Sequence, residues 1–259
     1  MLPGMGLTAR QYIAFAQALA HHGTEVWIHE WRGLGSSSVR ASRLSNWGYQ
    51  TLLEVDLQAS LAALAADHDQ PLFLAGHSLG SQFACLLAAR HPDQCRGIAV
   101  IAGGAPYWRR FPLWMQTVLI PAFTFMPLVA RLVGHYPGYR LGFAGRESRD
   151  VMGDWARTGR TGRYHAPGFS QDMEAAMQTL THPLLGLRLA DDWFVPETSL
   201  QFLLDKLPSA QTDTVVVAGR NGNKADHYSW LKEPAGAAEA LNDWLTGYTL
   251  DKAAANSRA

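Results

Sequence analysis

Apolar residues along the chain fall into two alternating patterns. "YIAFAQALAHHG" (12–23) spaces them as a helix does and stops at a glycine, and "TLLEVDLQASLAALAADH" (51–68) extends the same pattern. "PLFLAG" (71–76) and "GIAVIAGG" (97–104) are short unbroken apolar runs, as strands buried on both faces of a parallel sheet require. "EVWIHEW" (25–31), rich in β-formers, predicts a further strand, and "LGSQFACLLAAR" (79–90) predicts a helix ending before His91-Pro92. The rhythm lapses after residue 104 and resumes with "LLGLRLA" (184–190), a helix near 197–207, "DTVVVAG" (213–219) and a last helix near 234–247. Strands separated by helices predict an α/β fold: a mostly parallel sheet with helices on both faces. On this reading 1–104 and 184–250 form the core, and 251–259 is a disordered tail.

The intervening residues 105–183 predict an insertion that caps a binding site. "FPLWMQTVLIPAFTFMPLVARLVG" (111–134) is nearly long enough to span a bilayer. Gln116 and Arg131 interrupt it, however, and Pro112, Pro121 and Pro127 predict breaks in any helix there. Broken, aromatic-rich helices are therefore expected rather than a stable membrane span.

Composition narrows the picture. Of 259 residues 47% are hydrophobic and 17% charged, which places the chain among globular proteins rather than disordered ones. Lys plus Arg equals Asp plus Glu at 22 each, so no basic surplus points to nucleic acid or to an anionic membrane. Two cysteines, Cys85 and Cys95, do not make a disulfide framework, and Cys85 falls where a buried helix is predicted. "MLPGMGLTAR" lacks the basic and apolar regions of a signal peptide, so a cytoplasmic location is expected. Neither a metal-ligand cluster nor a phosphate-cradling motif is present, and no cofactor is expected.

Candidate chemistry centres on "GHSLG" (76–80), where an apolar strand gives way to a helix within two residues. So abrupt a turn forces the middle residue toward positive φ and crowds the positions two before and two after, which are Gly76 and Gly80. Ser78 is then lifted clear of the sheet, with the N-terminus of the next helix beside it. A serine hydroxyl needs a base, and the base an orienting acid. Among ten histidines, His227 follows the strand "DTVVVAG" on a loop at the same sheet edge as Ser78. His77 adjoins the serine but should point away from it. His21, His22, His68 and His91 sit near helix ends, and His135, His165 and His182 belong to the insertion as possible substrate contacts. Asp191 and Asp192 stand where the strand at 184–190 ends, and either can supply the acid. The backbone N–H of Leu79 and one from "LPGMG" (2–6) are candidate oxyanion donors.

These motifs, in this order, resemble those of the α/β-hydrolase superfamily. Pro3-Gly4-Met5-Gly6 is similar to the family's oxyanion loop, with proline in place of histidine, and implies Met5 as the second donor. "HEWRGLGSS" (29–37) resembles its D-x-R-G-x-G-x-S loop with Glu30 for aspartate. "DWFVP" (192–196) resembles the acid motif and implies Asp192, and "DHYSW" (226–230) the histidine motif, with Asp226 where glycine is usual. "HYPGYRLGFAG" and "DWAR" are similar to a bacterial subgroup of predicted α/β-hydrolases. In the family a central strand runs into the oxyanion loop, and two more precede it. Only Met1 and Leu2 come before Pro3, so those strands are missing and a truncated or misplaced start is the expectation.

The resemblance implies a serine hydrolase that cleaves a carboxylic ester or thioester through an acyl-enzyme, with Ser78, His227 and Asp192 as triad. Tyr107, Trp108, Phe111 and Trp114, with Phe123 and Phe125, would line an apolar acyl pocket. Two alternatives stand beside it: an acyltransferase of this fold or of the malonyl-transacylase type, and a non-catalytic module. Epoxide hydrolases and haloalkane dehalogenases need a carboxylate nucleophile, which Ser78 excludes.

Overall fold

A computed structural model describes residues 1–67 and 72–256. The chain opens with α1 (Ile13–Ala20), then α2 (Tyr49–Thr51), which continues through a π-helical stretch, Leu52–Leu57, into α3 (Gln58–Asp67). β1 (Leu72–His77), α4 (Leu79–Arg90) and β2 (Cys95–Ile101) form the first strand–helix–strand unit. Next come α5 (Leu113–Val133), β3 (Tyr136–Pro137), α6 (Gly138–Leu141), β4 (Arg146–Glu147), α7 (Arg149–Thr161) and α8 (Met173–Gln178). β5 (Pro183–Leu189), α9 (Glu197–Leu204), β6 (Gln211–Val217) and α10 (Ala235–Asn256) complete it. His68, Pro71 and the last three residues of the expected tail lie outside the described residues. The rest of that tail is not separate, because α10 continues through Asn256.

The sheet has strand order β1-β2-β5-β6, every pairing parallel. Each inner strand is buried on both faces, which is why it reads as a continuous apolar run. Ile98, Val100 and Leu184 enter the core that contains α4, whereas Ala99, Ile101, Leu185 and Leu187 enter a second core with Tyr12, Phe15, Trp230 and Leu241. Residues 25–31, expected as a strand, form none. A strand needs a neighbour along its length, and here the available neighbour is Met1–Leu2: His29 N–H donates to the Met1 carbonyl at 3.0 Å. Leu2 in turn bridges Gly76 in parallel, receiving the His77 N–H at 3.0 Å and donating to Ala75 at 2.8 Å. Beyond that bridge the gap between β1 and residues 24–29 is a cavity of about 460 Å³, lined by Val26, Ile28, Leu72, Leu74 and Trp244 among others.

A second correction concerns the prolines. Pro112 is the N-cap of α5, but Pro121 and Pro127 lie inside one continuous 21-residue helix. A helical proline frees the carbonyl four residues back. For Pro127 that carbonyl is Phe123's, and the Arg160 guanidinium on α7 donates to it. Gly159 lets α7 come this close, since a Cβ there would stand 2.3 Å from the Phe123 ring.

Candidate active site

The serine turn is built by two glycines with different neighbours. A Cβ on Gly76 would lie 2.2 Å from the Gly80 carbonyl oxygen, so the strand and the helix can meet only without it. A Cβ on Gly80 would lie 2.1 and 2.5 Å from the carbonyl oxygens of Leu2 and Pro3, so this glycine admits the N-terminal loop. Ser78 itself has φ 52 and ψ −119. Its N–H donates to Ile101 at 3.1 Å, and its carbonyl accepts from the Ser81 hydroxyl at 2.6 Å, which holds the strained residue from both sides.

Three residues far apart in sequence form one row. His227 Nε2 is 3.0 Å from Ser78 Oγ, and His227 Nδ1 is 2.9 Å from Asp192 Oδ2. The side chains of His227 and Asp192 are 4% and 3% exposed, so their hydrogen bond is shielded from water. The other carboxylate oxygen of Asp192 accepts the N–H groups of Phe194 at 2.8 Å and Val195 at 3.1 Å, which fixes its orientation. Asp191 faces elsewhere: it accepts the Ala225 N–H at 2.9 Å and so anchors the loop that carries His227. Asp226 turns from the site to accept Tyr228 and Ser229 N–H groups at 3.0 and 2.8 Å. Burial works against its charge, but these bonds outweigh burial and hold its carboxyl below the usual range.

His77 is fully buried, with Nδ1 2.6 Å from the Tyr12 hydroxyl. Burial, and then the nearby His227, hold its protonation well below the usual histidine range. The His77 and His227 rings lie with centroids 4.8 Å apart. Tyr12 Oη also accepts the Gly4 N–H at 2.8 Å, and Trp31 Nε1 donates to the Pro3 carbonyl at 2.8 Å. The loop Pro3–Gly6 is thus tethered beside Ser78. Glu30 holds neighbouring turns, accepting the N–H groups of Ala9 and Ser36 at 3.0 and 3.2 Å.

A cavity of about 240 Å³ opens on Ser78, and Met5 and Leu79 are among its lining residues. Of the aromatic residues expected there, Phe111 lines it; the others do not. Tyr107 packs on Phe202 with ring centroids 5.0 Å apart, and Trp108 lies under Arg109. Trp114 and Phe125 fall on the outward face of α5, and Phe123 is buried against Trp155. Helical phase explains the substitution: the residues of α5 that reach the cavity are Met115, Val118, Leu119, Ala122 and Met126. Phe143, Trp155, Phe194 and Tyr228 complete much of the wall. His135, His165 and His182 do not reach it. Two residues had no motif to announce them. Tyr12 is one; the other is Gln82, one turn after Ser78, which is buried at the cavity wall with Oε1 unpartnered among the described residues.

A serine–histidine–aspartate row at the carboxyl ends of parallel strands, on a strand–turn–helix elbow, defines the α/β-hydrolase class. Comparison with known proteins narrows this. A family model described as serine aminopeptidase, S33, matches residues 1–220, and the chain belongs to that family of α/β-hydrolases. A search of curated proteins returns no match. Among solved structures, a carboxylesterase of the thaumarchaeon Nitrososphaera gargenis superposes with a TM-score of 0.63 at 19% identity, covering 96% of this chain and 90% of the other. The monoacylglycerol lipase of Paleococcus ferrophilus gives 0.62 at 17% identity, with 95% and 93% covered. A thermophilic esterase from Thermogutta terrifontis gives 0.59 at 17%, with 95% and 88% covered. At these identities the likeness is one of fold.

Proposed function

We propose that this protein is a serine hydrolase that cleaves a carboxylic ester or thioester through an acyl-enzyme. The observation that carries the reading is the Ser78–His227–Asp192 row, spaced at 3.0 and 2.9 Å, at the wall of an apolar cavity. His227 Nε2 takes the Ser78 proton as Oγ attacks the acyl carbon, then delivers it to the leaving alcohol or thiol; water repeats the sequence in reverse. Asp192 accepts from Nδ1, selects the tautomer and stabilises the imidazolium. The N–H groups of Met5 and Leu79 serve as the oxyanion donors, and the loss of one such donor costs about 3 kcal/mol of transition-state stabilisation. Residues 105–183 act as a cap whose helix α5 supplies the acyl wall.

The test is covalent labelling. A fluorophosphonate probe should modify the wild type and leave Ser78→Ala unmodified, and p-nitrophenyl ester turnover should fall by roughly 10⁴-fold or more in that variant. Equal labelling of the two proteins would sink the reading.

A further inference from the structure

Helix α5 carries apolar residues on both its inward and its outward face, with Thr117, Thr124 and Arg131 along one exposed edge between them. Inward it presents Met115, Leu119, Phe123, Met126 and Ala130, three or four residues apart, to the cavity and α7. Outward, Trp114, Pro121, Phe125, Leu128 and Leu132 form an exposed stripe along the helix, and Val118, at the edge of the cavity, borders it. Trp114, Phe125 and Leu132 on that stripe are 58%, 60% and 65% exposed. A helix of such composition is ordinarily enclosed, and a continuous exposed apolar face marks a surface that meets an apolar partner.

Charge indicates which partner. Residues 105–146 contain Arg109, Arg110, Arg131, Arg140 and Arg146 and no aspartate or glutamate, although over the whole chain Lys plus Arg and Asp plus Glu are equal at 22 each. A second copy laid on this face would oppose like charges, whereas an anionic surface would meet complementary ones. The face is also continuous with the site. Trp114 lies 6.1 Å from Trp193, Trp193 lies 5.8 Å from Phe194, and Phe194 lies 4.7 Å from the His227 ring. The helix is long and apolar enough to cross a membrane by length and composition. Its inner face, however, is committed to α7 and the cavity, and Arg160 and Arg43 donate to the carbonyls of Phe123 and Leu132.

We propose that the outer face of α5 docks this protein on a lipid surface carrying anionic headgroups, the helix lying along the surface rather than through it. Docking does not depend on catalysis, so Ser78→Ala protein must dock as well, which separates this proposal from the hydrolase reading. The experiment is co-sedimentation of the full chain with vesicles of phosphatidylcholine containing phosphatidylglycerol, and with phosphatidylcholine alone, at low and high salt. Wild type and Ser78→Ala should partition onto the mixed vesicles, less at high salt and less on phosphatidylcholine alone. Phe125→Asp/Leu132→Asp should lower partitioning by about tenfold or more while turnover of a water-soluble short ester is retained. Arg109→Glu/Arg140→Glu should weaken binding only to the anionic vesicles. Undiminished binding by the Phe125/Leu132 variant overturns the proposal. So does a wild type that ignores vesicles, including one whose α5 face is found by ultracentrifugation to join two copies.

Discussion

Ser78 stands free of the sheet because Gly76 and Gly80 each exclude a different clash. Gly80 faces the carbonyl oxygens of Leu2 and Pro3, so Gly80→Ala should displace the loop that carries Met5. The expected outcome is a stability loss of about 1–3 kcal/mol in denaturant titration, with a larger proportional fall in kcat than in probe binding. A second residue sets a pH dependence remote from the chemistry. Glu147 is buried with the Gly145 N–H at 3.1 Å as its hydrogen bond, and burial pushes its carboxyl up to about 7. Because its folded value lies above the unfolded one, the folded state holds its proton more tightly. Its contribution is therefore complete at acid pH and is lost as pH rises from about 4.5 toward 7. Glu147→Gln keeps the acceptor and removes the charge. It should flatten that part of the stability profile and raise the melting temperature at pH 8, which calorimetry across pH would check.

At the scale of elements, α5 shows how a proline can sit inside a helix. Proline removes a donor, and Arg160 replaces it at the Phe123 carbonyl. Arg160→Ala should therefore cost about 1–3 kcal/mol. In a Pro127→Ala background, the restored N–H of residue 127 bonds the same carbonyl, and the cost should shrink. A double-mutant cycle measures this coupling, and strict additivity would refute the account. The proline positions are plain in the sequence, but the compensating arginine comes from another helix 33 residues after Pro127. For that reason local reading expected broken helices. The stretch at 25–31 misleads in the same way, since β-forming composition does not supply a partner strand.

Across the whole molecule, the site is an assembly of distant pieces: the loop after Leu2, the turn at Ser78, the ends of β5 and β6, and one face of α5. The cavity wall depends on how α5 lies over the sheet edge. Leu119→Trp should fill part of the 240 Å³ cavity and shift preference toward shorter acyl chains, read as a fall in kcat/KM that grows with p-nitrophenyl ester length. The elements of the core were legible because burial on two faces writes unbroken apolar runs. The elbow was legible because its strain demands glycines at fixed offsets, and the candidate acid and base, the Asp191–Asp192 pair and His227, because they follow strand-like runs. These signals are local, and the sequence alone determined them. Tertiary structure decided which of two adjacent aspartates meets the imidazole, which face of α5 turns inward, and that Tyr12, His77 and Trp31 brace the Pro3–Gly6 loop. Each of those depends on the relative placement of elements far apart in the chain, which neither periodicity nor spacing encodes.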